Sequence, residues 1–297
     1  MSKVKKKFPL VSIIINCLNG EKYLANAIKS VFDQTYKNWE IIFFDNNSVD
    51  KSVAIVKKFS DKRIKIFKSK KTYTLYKARN LAIQKAKGEF ISFLDVDDCW
   101  LNNKIKTQID CFKKNKKIEV VFSNLFIFKE KSSKKEIYIK SFFFNNFNAQ
   151  SLINNFQMPI LTTMIKKDVF RYIRFNNKYT IIGDFDFSVR LSLIKKIYYI
   201  PEPLAIYRYH DSNLTNKRID LNIRELKYWL KNISKKRSFH NINFISIQNL
   251  IELLIIKKNI ILNNKILSLK LIFKRPINLK KLKYFFILLI NSWIKIL

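Results

Sequence analysis

Glycine occurs only three times in 297 residues. That scarcity goes with the absence of two glycine-rich phosphate loops: the chain contains no G-x-x-x-x-G-K-[ST] and no G-x-G-x-x-G. Cysteine is as rare. Cys17, Cys99 and Cys111 form no C-x-x-C pair, and they read as free thiols of a reducing compartment. Long apolar runs are missing too. No segment reaches the ~20 apolar residues of a membrane span. Tyr284–Leu297 comes nearest, but Asn291, Ser292 and Lys295 interrupt it. Lys3, Lys5, Lys6 and Lys7 precede an apolar run, Val11–Ile15, that could pass for a signal peptide. The run is too short, meets Asn16 and has no small-residue cleavage site, so a first strand is expected there.

Negative charge is the last shortage. Asp and Glu number 22 against 58 Lys and Arg, for a net charge of +36. Such a field draws nucleic acid, acidic lipid surfaces or phosphorylated substrates. Lys, Asn, Ile and Phe dominate, as AT-rich coding would also produce, so charge alone names no partner. The competing reading it supports is a nucleic-acid-binding protein. Against it, the basic residues are spread along the chain without a zinc, RNP or helix-turn-helix pattern, and no nucleic acid is expected. A hydrophobic content of 48% is that of a folded protein with a real core.

In so basic a chain, Phe90–Trp100 stands out. A short apolar run ends in Asp95, Asp97 and Asp98. Two like charges at ~4 Å repel by about 4 kcal/mol at an effective dielectric near 20. A divalent cation would offset that, and oxygen ligands suit Mg²⁺ or Mn²⁺. A solvated acidic loop is the plain alternative. Upstream, strands are expected at Val11–Ile15, Trp39–Phe44 and Ile64–Ile66. Helices are expected on Leu24–Phe32, on Val49–Val56 with Ser48 or Asp50 as cap, and on Ala78–Ala86 with Gly88 as C-cap. A helix carrying Leu101, Ile105, Ile109 and Phe112 and a strand at Val120–Phe122 follow. The alternation predicts an α/β fold with a mostly parallel sheet and helices on both faces. Ligands bind beyond the carboxyl ends of such strands. Three of those ends are polar, at Asn16/Asn19, Asp45/Asn46 and Asp95/Asp97/Asp98, and the topology brings them to one rim. A nucleotide bound there would need a metal and basic side chains for its phosphates. Arg79 is either such a group or a surface arginine.

Several stretches together resemble family 2 glycosyltransferases of the GT-A fold. They are Val11–Ile15 with Asn19–Leu24, Ser30–Tyr36, Asp45–Ser48, Ala78–Asn80, Phe93–Asp98, Gly183–Asp186 and Tyr207–His210, over about residues 9–215. The resemblance implies a GT-A nucleotide-diphospho-sugar transferase fold, a Rossmann-like mixed sheet, at residues 1–215, with a basic helical extension at 216–297. It implies inverting transfer from a nucleotide-diphosphate sugar, a UDP-sugar above all, to a hydroxyl of a cell-surface glycan or lipid-linked acceptor, with Mn²⁺ or Mg²⁺ as cofactor. By similarity, Asn16, Asn19, Glu21, Asp45 and Arg79 line the nucleotide pocket, and Asp95 faces the ribose or sugar. Asp97 and Asp98 face the metal and diphosphate. The family often carries Thr or Pro at position 16, an aromatic at 18 and a second acid at 46. Asn46 can still bond a base edge. A fold relative that has lost activity is the third reading, and the acids at all three strand tips speak against it.

Downstream, Phe126–Ile139 reads as a hairpin turning near Ser132-Ser133, Ser141–Asn155 as a mobile connection and Pro159–Ile165 as a strand. Asp184 and Asp186 open a helix. Activating a sugar hydroxyl takes one base. Asp184 is assigned that role, with Asp186 structural or orienting the acceptor. Ala205–Tyr209 is a strand ending at His210, which is either a metal or phosphate ligand or a hydrogen-bonded structural residue. Arg208 pairs with a rim acid or with phosphate. From Ile219 on, amphipathic helices carry Ile219, Ile223, Leu226 and Leu230, then Phe244, Ile247, Ile251 and Leu254. Aromatics return at Tyr284–Phe286 and Trp293. These helices either pack on the catalytic domain or lie on an anionic membrane surface. The expected location is the cytoplasm, peripheral to the inner face of the cytoplasmic membrane.

Overall fold

Strand β1 (Val11–Cys17) is buried along its length except at Asn16, and β2 (Trp39–Asp45) is buried throughout. Strands covered on both faces need continuous apolar runs, which is what these sequences supply. A computed structural model describes residues 8–140, 147–211, 213 and 218–273. The chain divides into two compact units: Met1–Leu152 with Phe156–Asp211, and Ile153–Asn155 with Ser212–Leu297.

The first unit holds a nine-stranded sheet. Strands β3 (Ile64–Lys68), β2, β1 and β4 (Phe90–Phe93) run parallel in that order. The parallel pattern stops there. β8 (Met164–Lys166) lies antiparallel between β4 and β6 (Val120–Lys129), and β6 pairs in parallel with the long β9 (Ile197–Tyr209). β5 (Cys99–Trp100) closes the edge antiparallel to β9, and β7 (Lys134–Ile137) forms the expected hairpin with β6. The sheet is therefore mixed rather than mostly parallel.

Helices α1 (Leu24–Phe32), α2 (Ser52–Lys58), α3 (Leu75–Lys85) and α4 (Lys104–Lys114) follow β1, β2, β3 and β5. Neither expected residue is the N-cap of α2. Its N-cap position is Lys51, whose side chain makes no cap; Ser48 Oγ turns to Asn19 N, and Asp50, one residue before the N-cap, accepts from Ser52 N in the first turn as well as from Glu21 N in the neighbouring loop. Val49 is exposed and outside the helix. Helix α3 is capped by Thr74 Oγ1, which accepts from Lys77 N, and ends at Ala86. Gly88 is not its C-cap. A Cβ there would lie 2.6 Å from Leu10 O and 2.7 Å from Ser12 N, so glycine permits a close crossing of β1. Ser12 Oγ accepts from Gly88 N at 2.8 Å and donates to Glu40 at 2.6 Å, tying the turn to the paired strands.

Two further expectations are corrected. Within 141–155, residues 141–146 lie outside the described residues, but α5 (Ala149–Asn154) is helical, with Asn148 Oδ1 accepting from Ser151 N. At 159–165 only β8 is strand. Ile160–Thr162 is a 3₁₀ turn, since the Thr162 and Thr163 hydroxyls both donate to Pro159 O and bend the backbone.

Helix α4 begins with a lysine that reaches no solvent. Lys104 Nζ donates to Ser92 Oγ at 3.0 Å and Gln108 Oε1 at 2.8 Å, and sits 4.0 Å from the Trp100 ring centroid. No carboxylate pairs with it among the described residues. Burial pushes its pKa well below the ordinary lysine value. Across the window between the two values the unfolded chain binds more protons than the fold. The stability Lys104 contributes is complete above the ordinary value, about 10.4, and is lost as pH falls through the lowered one. Lys104→Met removes this dependence. In urea titrations from about pH 7 to about pH 10, wild type should gain up to about 1.4 kcal/mol per pH unit relative to the variant. Parallel stability curves would discount the effect.

In the second unit, α7 (Ile219–Ile233) buries Ile223, Leu226, Trp229 and Ile233. Trp229 takes the place expected for Leu230 and packs edge-on against Phe239 and Phe244. Helices α8 (Ile245–Ile261) and α9 (Lys265–Phe273) follow. Leu254 is only partly buried, and Leu253 and Ile256 take up its packing. Tyr284–Phe286 and Trp293 lie outside the described residues. No helix among the described residues is long and apolar enough to cross a membrane.

Candidate active site

Parallel pairing makes β1, β2 and β4 end at one edge. Cys17 pairs with Asp45 and Ile14 with Phe93, so continuing the register puts Asp95 level with Asn16. The loops after β1 and β2 are zipped together. Asn19 takes a left-handed φ of 56°, and its Oδ1 accepts from Val49 N while its N–H donates to Ser48 Oγ. Glu21 Oε2 accepts from Lys51 N, and Asp50 Oδ2 from Glu21 N. Asn46 is likewise tied to backbone: Nδ2 donates to Tyr73 O and Oδ1 accepts from Tyr73 N, both at 2.9 Å. Asn19, Glu21 and Asn46 thus shape the loops that frame the edge. Two groups differ. Asp45 is fully buried; Oδ1 accepts from Ser48 N, but Oδ2 has no partner among the described residues. Asn16 Nδ2 is also buried without a partner among the described residues.

Arg79 is the centre of the rim. Its side chain is 2% exposed, whereas its partners Asp95 and Asp184 are 36% and 26% exposed. A buried guanidinium therefore holds two carboxylates that still face solvent. Nη1 donates to Asp184 at 2.5 Å and Nη2 to Asp95 at 3.0 Å. Asp184 reaches Arg79 because α6 (Gly183–Ser192) begins hard against α3: a Cβ on Gly183 would strike the Tyr76 ring. Tyr76 Oη donates to Ile181 O and fixes the same approach. Burial raises the Asp184 pKa to about 6; repulsion from Asp95 adds to this, and Arg79 opposes it. Burial works against the Arg79 charge, but Asp184 and Asp95 outweigh it and raise its pKa. Asp186 turns the other way. It is 3% exposed and accepts two bonds from Arg190, at 2.9 and 2.6 Å.

The β5–β9 pairing assembles the second half of the site. With Cys99 opposite Ile206, the preceding acids come level with Arg208. Asp98 Oδ1 accepts from Arg208 N at 2.8 Å, and Arg208 Nε donates to Asp97 O at 3.0 Å. His210 Nε2 meets Asp97 Oδ2 at 3.0 Å. Burial, then Asp95, raises the Asp97 pKa, with His210 opposing. Burial, then Asp97 and Asp95, pushes Asp98 well above the usual carboxylate range. Asp97 and His210 together offer a carboxylate oxygen and an imidazole nitrogen, two donors that a divalent cation can take. Asp98 is 2% exposed and held by backbone. Among the described residues no three His, Cys, Asp or Glu side chains are arranged to hold a metal.

Three contributors were not assigned a site role from the sequence. Gly183 and Tyr76 act through the approach of α6 to α3. The contacts of Tyr23 with Arg208 and His210 depend on β9 returning beside the β1–α1 turn.

The fold and this acid-lined rim define a GT-A glycosyltransferase. Residues 12–175 match the family described as glycosyl transferase family 2, more than half of the chain, and the protein belongs to that family. A Haemophilus influenzae relative, an uncharacterized glycosyltransferase, is 30% identical over 64% of this chain and 73% of its own length. An Escherichia coli relative is named UDP-Glc:alpha-D-GlcNAc-diphosphoundecaprenol beta-1,3-glucosyltransferase WfgD. It is 43% identical, over 36% of this chain and 42% of its own length, so the match covers less than half of that enzyme. Among solved structures, the mannosyltransferase PcManGT from Pyrobaculum calidifontis, solved with GDP-Man and Mn2+, has the same fold. Its TM-score is 0.62 at 12% identity, over 83% of this chain and 71% of that one.

Proposed function

We propose that the protein is a metal-dependent, inverting transferase that moves a sugar from a UDP-sugar to a hydroxyl of a lipid-linked glycan during cell-surface polysaccharide assembly. One observation carries the reading: Arg79 binds the donor-side acid Asp95 and the acceptor-side acid Asp184 at once. Asp184 is the base. It takes the acceptor hydroxyl proton as that oxygen forms a bond to the anomeric carbon. The bond from that carbon to the diphosphate oxygen breaks on the opposite face, and the nucleoside diphosphate departs with the electron pair.

A divalent cation held by Asp97 and His210, when bound, would neutralise charge on the departing diphosphate. Arg208 adds a fixed positive charge beside the same acids. Asp98 holds the Arg208 backbone in place. Asp45 Oδ2 and Asn16 Nδ2 are a buried acceptor and a buried donor at the nucleotide edge, each without a partner among the described residues. The uridine assignment follows the name of the E. coli relative, as does the lipid diphosphate acceptor.

Such an acceptor lies at a membrane surface. In the second unit Ile261, Leu262, Ile266, Leu267 and Leu269 are exposed, with Lys257, Lys258 and Lys270 in the same stretch. That mixture suits an anionic bilayer approached from the cytoplasm. One experiment covers both parts. The full chain is mixed with UDP-glucose, Mn²⁺ and a GlcNAc-diphospholipid in phosphatidylglycerol vesicles. Sugar transfer and co-sedimentation are expected. Absence of transfer from any uridine or guanosine diphospho-sugar would reject the enzymatic assignment. Equal sedimentation with neutral vesicles would reject the membrane assignment.

A further inference from the structure

Tyr23 sits in the turn between β1 and α1, and the chemistry above makes no use of it. Its hydroxyl donates to Glu130, whose two carboxylate oxygens lie 2.9 and 2.8 Å away. Glu130 opens the 3₁₀ turn that joins β6 to β7. The hydrogen bond from Tyr23, then the charge of Lys22, holds the Glu130 carboxyl below its usual range. The Arg208 guanidinium lies 4.8 Å from the Tyr23 ring centroid. The His210 imidazole lies 5.1 Å from it, tilted by 40°.

Those same two side chains are the basic partners of Asp97. Arg208 Nε donates to Asp97 O, and His210 Nε2 meets Asp97 Oδ2, both at 3.0 Å. One aromatic ring therefore underlies both groups, and an anchor from a third chain segment holds the ring. A cation on an aromatic face is attracted by the ring quadrupole and loses freedom to swing away. A preset pair binds a charged ligand with less ordering cost than two mobile side chains.

We infer that Tyr23 is a positioning residue for the donor edge. Its ring fixes Arg208 and His210 against Asp97, and Glu130 locks the ring, so the diphosphate meets a prearranged basic pair. The inference rests on the donor-site reading given above.

The chain contains two histidines, so a His240→Gln background leaves the His210 ring as a lone signal for NMR. In the nucleotide-free full chain, Tyr23→Leu should displace the His210 ring signals, and Tyr23→Phe, which keeps the ring but loses its bond to Glu130, should displace them less. By calorimetry with UDP and Mn²⁺, Tyr23→Leu should bind about tenfold more weakly, the scale of one partly buried cation–aromatic contact. Tyr23→Phe should bind about threefold more weakly, because the ring remains but its bond to Glu130 is gone. Glu130→Gln weakens the same anchor at an accessible position. It should give an intermediate loss, and it provides the test if Tyr23→Leu fails to fold. Unchanged His210 signals in the Leu and Gln variants, or wild-type affinity in both, would overturn the inference. If wild type binds no nucleoside diphosphate, the donor-site reading fails, and the His210 signals still decide whether Tyr23 holds that ring.

Discussion

Asp184→Asn should bind donor with nearly wild-type affinity and lose about 10²–10⁴-fold in kcat, the range for removing a general base. An amide cannot take the acceptor proton, yet it can still accept the hydrogen bond from Arg79. The fold and the donor edge should therefore survive. The wild-type pH profile provides an independent check. Asp184 is protonated below about 6 and ionised above it. A base must be ionised, so kcat/KM should rise with pH through that value and level off above it. The rising limb should be absent from the residual activity of Asp184→Asn. An unaltered kcat, or a profile flat between about pH 5 and about pH 7, would remove Asp184 from the role.

Arg79→Met should damage both folding and catalysis. The guanidinium is buried with two carboxylates as partners. Removing it leaves Asp95 and Asp184 facing each other without a cation. Breaking a buried ion pair costs ~3–5 kcal/mol, and the low end applies because both acids keep contact with water. Unfolding in urea should therefore show a loss of about 3 kcal/mol. In the protein that stays folded, Asp184 loses the charge that opposes its upward shift, so the acid limb of the pH profile should move to higher pH. Arg79→Lys keeps the charge but lacks the planar fork, and it should hold one acid rather than both. Wild-type stability and an unmoved limb in Arg79→Met would show that the bridge is incidental.

The first half of the fold was legible because parallel strands covered on both faces leave continuous apolar runs. β1, β2 and β4 stand out in the sequence, and their polar ends mark the rim. What followed β4 was less clear for physical reasons. β8 is three residues long and antiparallel, too short for any periodicity, and Pro159 with two threonines diverts the approach to it. Trp229 replaces Leu230 in the α7 core because the buried stripe is turned by one residue, a shift that heptad-like spacing does not resolve. At the site, the acids were readable as residue types at strand ends. Their partners were not. Nothing local says that Arg79 meets Asp184 or that Tyr23 meets Glu130, since each pair forms across about a third of the chain. Asn19, Glu21 and Asn46 have the residue types of ligands. They are engaged by backbone groups of adjacent loops, a use that the same sequence pattern equally permits.

The separation of those pairs bears on how the chain reaches its native state. Arg79 and Asp184 are 105 residues apart, Asp97 and His210 are 113, and β9 joins the sheet only after β8 has reversed the strand direction. Contacts of such long range form only after large loops have closed, which is slow relative to local helix and hairpin formation. The nascent first four strands can pair early with Arg79 already beside Asp95, but Asp97 and Asp98 then lack Arg208 and His210, and Arg79 lacks Asp184. Competence is thus acquired last, when residues near 184 and 210 arrive, and a chain released before that point would hold a sheet but no working centre.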